Sequence, residues 1–446
     1  MRIFLMSIAF LVGPQLMAQK PYVIDGEPVE FMQDGGWCWY EDPRAIVHHG
    51  KLITGAISGI SGDIKVAVYD LKANKNLGTV VLDKNFEVDD HNSPVFYARP
   101  DGSLVAVWAM HGKEKYHYYS LSDSQDYLKW SERKVYEHDL NIPEGRKWGG
   151  VTYMNLYTIQ RQKTLYNFFR DGKNSNPTFI SSVDNGATWG NRTHFIEDEI
   201  QGKQRPYVRY TQLDKNKIGA SFTDGHPRNY GNSIYYAVFD GTSFYKADGT
   251  KIKDLSEGPL KTSETDKLYV GAETMKKPEG YGSVPNAAWT CDMENDPKGN
   301  PFVAYTVYQS PEDIRFRLAN WTGSSWNDRE IAYGGPGLYI REDSYSGLMA
   351  LDPDNPTKLF ISTQVDPTTG KMNAQKHEIY MGQIADSDHT ETIKWQQVTK
   401  GSAYKNIRPV MVSGEGYKVV LWLAGGPWKH FQNYESNVVG YILERP

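Results

Sequence analysis

Short apolar runs, each bounded by turn-forming residues, recur along the chain and predict strands rather than long helices. Gly, Asn, Asp or Pro clusters follow the runs, and an uninterrupted amphipathic helix pattern is hard to find. Seven runs come at intervals of about 50 residues, a spacing typical of repeat architectures. The seven runs are 51–54, 104–108, 165–169, 218–222, 301–305, 359–362 and 419–422. The pattern therefore predicts an all-β chain built from one repeated strand–turn–strand unit.

One repeat carries a sharper signature. Residues 182–189 read Ser-Val-Asp-Asn-Gly-Ala-Thr-Trp, an Asp-box, in which the Asp bonds the backbone of its own turn and the Trp packs beneath it. Looser versions lie at 123–130 and 321–326. Seven such units, arranged radially as four-stranded sheets, would form an all-β, seven-bladed β-propeller with Asp-box-like (BNR-type) hairpins, and this is the fold that we predict. The alternative, a pair of β-sandwiches, fits the even spacing less well. No linker divides the chain, so we predict a single propeller domain over 19–446.

The first residues have the organisation of a secretion signal. Arg2 precedes an apolar run over 3–12, and Ala18 is a small residue at a plausible cleavage point. We therefore predict a signal peptide over residues 1–18 and an exported, soluble protein in the periplasm or outside the cell. The run is too short to span a membrane as a helix, so no membrane partner is expected.

The composition of the chain limits the classes of molecule that it can bind. A net charge of -5 without a basic stripe argues against nucleic acid, and we expect a monomer. The 30 Tyr and 12 Trp residues suit stacking on sugars but also fill β cores, so composition leaves both roles open. Cys38 and Cys291 are too few for a disulfide scaffold or a four-cysteine zinc site, and buried free thiols are expected. No cofactor is required, while a structural metal ion stays open because the His and Asp spacing matches no specific ligand pattern.

Two histidines flank a predicted hairpin. His91 precedes the strand that begins at Val95, the turn 99–103 follows it, and His111 comes after the next strand. A hairpin folds its two ends together, so the two imidazoles should lie within a few ångströms of each other. Adjacent imidazoles that titrate near neutrality suit proton transfer or metal binding. The alternative is two independently satisfied histidines at a strand rim.

Further polar clusters interrupt the strand pattern at the predicted blade edges. Because equivalent strands end on the same face of a propeller, these clusters can converge into one cleft. His, Tyr and Arg together suit abstraction of a proton α to a uronate carboxylate, with Arg neutralising the carboxylate. Structural ion pairs for the arginines and core packing for the tyrosine are the alternatives. The candidates are Tyr153, Arg170, His226, Arg228, Tyr230 and Arg408.

A second candidate site lies at a different turn. His48 and His49 stand between two predicted strands, and adjacent strand residues face opposite sides, so only one of them can enter a given pocket. Two histidines at a hairpin turn are usually just solvated.

Several motifs together carry a resemblance to a known group of proteins. The motifs are 37–45, 90–92, 108–112, 169–170, 224–228 and 345–354. Over nearly the whole mature chain they resemble the seven-bladed propeller group that contains the ulvan lyases of polysaccharide lyase families 24 and 25. The resemblance is closest to glycoside hydrolase family 145, exo-acting α-L-rhamnosidases that remove rhamnose capping glucuronic acid in arabinogalactan and gum arabic. A neighbouring branch, polysaccharide lyase family 42, cleaves the same linkage by elimination.

The resemblance implies two alternative sites. In the lyases a His pair, a Tyr and an Arg on the anterior face perform elimination, and these match His91, His111, Tyr153 and Arg170. In the rhamnosidases a single histidine on the posterior face is held responsible for hydrolysis. That position matches His48, and relatives that act as lyases lack a histidine there.

Hydrolysis at His48 would depart from ordinary glycosidase chemistry, which uses two carboxylates at a set separation. No convincing Asp/Glu pair stands near His48, because Glu41 and Asp42 belong to a motif shared with the lyases. The substrate would then supply the missing group, from a rhamnose hydroxyl or the neighbouring glucuronate carboxylate.

The sequence and the resemblance leave three functions open. The leading prediction is an exo-acting α-L-rhamnosidase that hydrolyses terminal L-rhamnose from Rha-α-1,4-glucuronic acid caps of arabinogalactan side chains, with His48 as general acid/base and rhamnose-capped glucuronic acid oligosaccharides as ligands. The alternative is an L-rhamnose-α-1,4-D-glucuronate lyase that acts by β-elimination. The third is a carbohydrate-binding propeller without turnover.

Overall fold

A computed structural model describes residues 22–142, 148–172, 175–197, 199–200, 205–339, 341–384 and 393–446. The predicted signal peptide over 1–18 lies outside the described residues. None of the short 3₁₀ helices in this described part has the length and hydropathy of a membrane-spanning helix.

The described strands form seven antiparallel sheets arranged as the blades of a propeller, which confirms the predicted fold. The first strand, β1 (Val29–Met32), belongs to the last blade, and the next twelve strands build blades 1 to 3 in simple up-and-down order. These are β2 (Ala45–His48), β3 (Lys51–Ile57), β4 (Ile64–Asp70) and β5 (Lys75–Asp83); β6 (Val95–Ala98), β7 (Leu104–Trp108), β8 (Tyr116–Leu121) and β9 (Lys134–Glu137); and β10 (Thr152–Ile159), β11 (Thr164–Arg170), β12 (Pro177–Ser182) and β13 (Gly190–His194).

Blade 4 is larger than its neighbours, because two strands, β18 and β21, pair with the outer edge of its third strand, β17. A small parallel pair, β14 and β20, lies beside it. The strands of this region are β14 (Ile196–Glu197), β15 (Val208–Asp214), β16 (Lys217–Thr223), β17 (Ile234–Phe239), β18 (Ser243–Tyr245), β19 (Lys251–Asp254), β20 (Leu260–Lys261) and β21 (Asp266–Tyr269).

Blades 5 and 6 return to four strands, and blade 7 is closed by the start of the chain, since β1 pairs with β34 with Val29 opposite Gly440. A short hairpin, β32–β33, projects from blade 7. The remaining strands are β22 (Ala287–Asn295), β23 (Pro301–Ser310), β24 (Asp313–Trp321), β25 (Trp326–Gly335), β26 (Met349–Leu351), β27 (Lys358–Thr363), β28 (Glu378–Gln383), β29 (Lys394–Gln397), β30 (Ile407–Gly414), β31 (Tyr417–Ala424), β32 (Trp428–His430), β33 (Asn433–Tyr434) and β34 (Asn437–Glu444). Short 3₁₀ helices lie at Asp90–Asn92, Gln160–Gln162, Leu255–Glu257 and Thr262–Glu264.

Each of the seven predicted apolar runs lies in the second strand of a blade. These strands are apolar on both faces because each blade packs between two others, so their side chains fill the gaps on either side. Trp108 of blade 2, which is fully buried, packs with residues of blade 1, and Phe168 of blade 3 stacks on Tyr210 of blade 4 at 4.5 Å between ring centroids. Burial of one such side chain contributes roughly 1.5–3 kcal/mol.

The Asp-box adopts the predicted turn. Asp184 Oδ1 accepts a hydrogen bond from the backbone N–H of Thr188 at 2.8 Å, and Ser182 Oγ accepts one from Gly186 at 2.8 Å. The Trp189 ring packs edge-on against His117 of blade 2, with 5.5 Å between centroids. The Asp-box therefore forms a tight turn in blade 3 and also contributes a tryptophan to the packing between blades 2 and 3. Both cysteines are buried and free, as expected.

Candidate active site

His91 and His111 lie side by side at the open end of the β6–β7 hairpin. Their rings stack with centroids 3.7 Å apart and planes 9° from parallel. His91 lies in the 3₁₀ helix before β6, whereas His111 follows β7, and Asn92 Oδ1 accepts a hydrogen bond from the backbone N–H of His111 at 2.8 Å. The prediction that the hairpin brings the two imidazoles together is confirmed, and their catalytic role stays a prediction.

A fully buried carboxylate, Asp89, joins the two imidazoles. Its Oδ1 accepts hydrogen bonds from Nδ1 of His91 at 2.7 Å and from the backbone N–H of His91 at 3.1 Å. Its Oδ2 accepts one from Nδ1 of His111 at 3.0 Å. Gln432, from the turn of the β32–β33 hairpin, donates to the same Oδ2 at 3.0 Å. Three segments of the chain therefore converge on one carboxylate.

The surroundings shift the pKa values of the two imidazoles in opposite directions. Burial and the adjacent cation of His91 lower the pKa of His111 to about 4. Burial alone would lower the pKa of His91, but Cys38, Tyr153 and Asp89 raise it well above its usual value. At neutral pH the pair therefore consists of a neutral His111 and a cationic His91, and such separation of two neighbouring pKa values is typical of an acid–base pair.

In the same cleft as the histidines, Arg170 lies against two tyrosine rings. Its guanidinium carbon is 4.7 Å from the ring centroid of Tyr153 and 4.4 Å from that of Tyr207. Arg170 ends β11, and Tyr153 stands at a bulge near the start of β10 with φ of +64°. Left-handed backbone is unfavourable for tyrosine and is found where the surroundings impose it, often at functional sites. The ring of Tyr153 also lies 5.4 Å from that of His91, so these residues share one site.

The charge of Arg170 is available to a ligand. Among the described residues no carboxylate forms an ion pair with it, and its Nε has no hydrogen-bond partner. The side chain is partly exposed to the cleft. A guanidinium in this state suits a planar anion such as a carboxylate, because it can donate two parallel hydrogen bonds.

Tyr207 is a site residue that the sequence did not single out. Burial raises its pKa, but Arg170 and Arg205 outweigh burial, so the pKa of Tyr207 falls below its usual value. The pKa of Tyr153, in contrast, is raised well above its usual value by burial. Tyr207 comes just before β15, the inner strand of blade 4, as Tyr153 begins the inner strand of blade 3. A comparison of equivalent positions in successive blades is the signal that could have found it.

The cleft that these residues line has a volume of about 460 Å³ and a cationic rim. Arg205, Arg228 and Arg341 line it together with Arg170, whereas Glu342 is the one carboxylate among the described lining residues. This local excess of positive charge contrasts with the net charge of -5 of the chain. The cleft therefore selects anionic ligands.

The other sequence candidates have mixed outcomes. His226 and Arg228 line the cleft, where Arg228 forms an ion pair with Glu342. Tyr230 is not among the described residues that line it. Arg408 is placed wrongly by the sequence reasoning: its side chain is 1% exposed, donates to Asp90 Oδ2 at 2.6 Å and lies between two tryptophan rings. The charge of Arg408 therefore has a structural role, because it pairs with a buried carboxylate from another segment of the chain.

His48 lies at the opposite end of the blades. The cleft histidines flank the open end of the β6–β7 hairpin, and Gly102 lies in its closed turn. The Nε2 atom of His48 is 3.2 Å from the carbonyl oxygen of Gly102, which places His48 on the far face. Its ring stacks on His49 with centroids 4.0 Å apart, and burial lowers the pKa of His48. The imidazole is half-buried, so it is partly open to solvent.

Two groups of described side chains are close enough to share a metal ion, with ligand atoms within 4.8 Å of one another: Cys38, Asp90 and His91, and Asp89, His91 and His111. In the second group the atoms that face one another are already hydrogen-bonded. A carboxylate only accepts, so each Nδ1 that contacts Asp89 carries a proton and has no lone pair for a metal. The geometry fits a carboxylate–imidazole network better than a metal centre.

Sequence comparison assigns a family. The profile of the BNR repeat-containing family matches residues 39–333, which is well over half of the chain, and the chain belongs to this family. None of the curated protein sequences matches it.

Solved structures with the same fold include polysaccharide lyases. One, described as a new family of polysaccharide lyase, PL25 ulvan lyase, has a TM-score of 0.58 and 14% identity, covering 94% of this chain and 98% of its own. The same values hold for a structure of that lyase bound to -[GlcA(1-4)Rha3S]-. The polysaccharide lyase Uly1 has a TM-score of 0.57 and 11% identity, covering 97% of this chain and 95% of its own. At these identities the likeness concerns the fold.

Proposed function

We propose that this protein is a polysaccharide lyase that cleaves uronate-containing chains by β-elimination in the cleft of Arg170. The observation that carries the proposal is that the Arg170 guanidinium, which has no carboxylate partner among the described residues, lines the same cleft as the stacked His91–His111 pair. Elimination needs a cation for the uronate carboxylate, a base for the α-proton and an acid for the leaving oxygen. The cleft offers all three within one cavity.

The roles follow from charge and protonation. Arg170 pairs with the uronate carboxylate and makes the proton on C5 more acidic. Neutral His111 takes that proton through Nε2, the electron pair forms the C4–C5 double bond, and the C4–O bond breaks. Tyr153, whose raised pKa keeps it protonated, gives its proton to the leaving oxygen. The products are an unsaturated uronate and a free hydroxyl end, and no water is consumed.

The substrate class follows from the rim. Four arginines against one carboxylate suit a polysaccharide with repeated negative charges, of which the uronate carboxylate is one. The ligand bound in one structure of the PL25 ulvan lyase consists of glucuronic acid and sulfated rhamnose. We therefore extend the proposal to glucuronate–rhamnose chains, and to an exported enzyme whose residues 1–18 are removed.

The test is digestion of a panel of uronate polysaccharides, with and without sulfate, followed by ultraviolet absorbance and mass analysis of the products. Elimination generates a conjugated double bond and a product lighter by one water than the hydrolysis product. His111→Gln and Arg170→Ala should lose activity, whereas His48→Gln serves as the matched control on the opposite face and should retain it. A saturated uronate product would refute elimination.

A second candidate is exo-acting α-L-rhamnosidase activity at His48. It is favoured by one observation, the half-buried imidazole of His48 on the face opposite the cleft, whose lowered pKa keeps it neutral and able to accept a proton. A rhamnose-capped glucuronide is the diagnostic substrate, since hydrolysis releases free rhamnose and an intact uronate. Loss of rhamnose release in His48→Gln, with normal release in His111→Gln, would favour this candidate over the lyase.

A further inference from the structure

The carboxylate of Asp89 contacts both members of the histidine pair, and nothing in the elimination steps assigns it a role. It is fully buried, and its two oxygens accept four hydrogen bonds from three different segments of the chain. Burial of a charged carboxylate costs free energy unless the group is paired and hydrogen-bonded. The number and direction of the contacts point to a function in orienting the imidazoles.

A carboxylate cannot donate, so each imidazole nitrogen that contacts Asp89 carries a proton. His91 and His111 must each hold a proton on Nδ1 to bond Asp89. In His111, which is neutral, this leaves Nε2 as the atom with the free lone pair. The tautomer, and with it the atom that can take a proton from substrate, is therefore set by Asp89.

The ring orientation is fixed from a second direction. Phe431, in the same turn as Gln432, packs edge-on against both imidazoles, with centroids 5.1 Å from His91 and 5.8 Å from His111. Its carbonyl oxygen accepts a hydrogen bond from the backbone N–H of Asp90 at 3.0 Å. The β32–β33 hairpin of blade 7 therefore holds the pair against Asp89 of the segment before blade 2.

We propose that Asp89 is the positioning residue of the proposed lyase, locking both imidazoles with Nδ1 protonated so that Nε2 of His111 faces the substrate, with Gln432 holding Asp89 in place. The inference rests on the proposed function for its catalytic meaning, but the tautomers themselves are independent of activity. Neither Asp89 nor Gln432 touches the substrate in this arrangement.

The experiment is nitrogen-15 NMR of the histidine side chains in the full-length protein, with His91→Gln and His111→Gln assigning the signals. In the unmodified protein both Nδ1 atoms should be protonated. In Asp89→Asn, where an amide donor can face an imidazole, the neutral His111 should shift its proton from Nδ1 to Nε2. An unprotonated Nδ1 in either histidine of the unmodified protein overturns the proposal, even if Asp89→Asn fails to fold.

Kinetics supply the second readout. Removal of an orienting carboxylate of this kind lowers kcat by as much as about 10⁴-fold in a hydrolase triad, and we expect Asp89→Asn to lower kcat at least about 10²-fold with little change in KM. Gln432→Ala should lower kcat less than Asp89→Asn and keep both Nδ1 atoms protonated.

Metal analysis completes the test, since one divalent ion per chain that is lost in Asp89→Asn would overturn the proposal. Absence of lyase activity in the unmodified protein would refute the proposed function but leave the NMR result decisive for Asp89.

Discussion

Arg408 of blade 7 forms an ion pair with Asp90, the residue next to His91, at 2.6 Å between Nη1 and Oδ2. Both side chains are 1% exposed, and the guanidinium also donates to the backbone carbonyl of Trp37. Arg408 therefore connects the last blade with the segment that carries His91. A salt bridge in this environment is sensitive to the loss of either partner, because the other charge stays buried.

Replacement of Arg408 should destabilise the fold. We expect Arg408→Met to lower the free energy of unfolding by about 3–5 kcal/mol, because Asp90 stays buried and its Oδ2 loses the guanidinium that pairs with it. Urea unfolding followed by tryptophan fluorescence measures the loss. Lys129→Ala, which removes a surface pair with Asp126, is the control and should leave the midpoint unchanged. A loss below about 1 kcal/mol, typical of surface pairs, would contradict the assignment.

The two tyrosines beside Arg170 should give different kinetic defects. Tyr153→Phe removes the proposed acid, so kcat should fall about 10²- to 10⁴-fold while KM changes little. Tyr207→Phe removes a hydroxyl that bonds Arg170, so we expect mainly a rise in KM for uronate substrates. Steady-state rates of unsaturated product formation separate the two. Equal effects of both substitutions on kcat would argue against Tyr153 as the sole acid.

Activity should persist well below neutral pH. The base must be neutral, so kcat/KM should rise with pH through the pKa of His111 at about 4 and then level off. A fall on the alkaline side is expected only when Tyr153, the proposed acid, whose pKa is raised well above its usual value, loses its proton. Because the two imidazoles interact, the acidic limb of the profile belongs to the pair. An acidic limb centred near the ordinary histidine pKa of about 6.5 would contradict the environment described for His111.

Buried neutral histidines should make the fold sensitive to acid. Burial lowers the pKa of His377 to about 3, so only the unfolded chain binds a proton there as the pH falls below about 6.5. Stability is therefore lost progressively between about pH 6.5 and 3, by an amount on the order of 5 kcal/mol for this group. His377→Leu should move the acid midpoint to lower pH, whereas His430→Gln, at the partly exposed cleft rim, should not. Circular dichroism during acid titration checks both.

The propeller was predictable because its signals are local. Each second strand is apolar on both faces and ends in a turn residue, so spacing alone located one strand in every blade. The convergence of His91 and His111 was predictable for the same reason, since a hairpin defines its own geometry. Blade 4, with strands added by β18 and β21, was not predictable, because outer strands are short and partly polar.

The rest of the site depends on contacts between distant segments. Asp89 stands two residues from His91, but its role requires Gln432 of the last blade, and no local pattern pairs them. Arg408 was expected to bind substrate because an arginine in a polar motif looks the same whether its partner is a ligand or a buried aspartate. Tyr207 was missed because a single tyrosine before a strand is ordinary unless blades are compared position by position.

The seam between β1 and β34 completes blade 7 from the two ends of the polypeptide. From this blade Asp89 and Asp90 receive Gln432 and Arg408, although they lie in the segment before blade 2. The contacts that orient the histidine pair of the proposed active site therefore form only after the late part of the chain has folded back onto the early part.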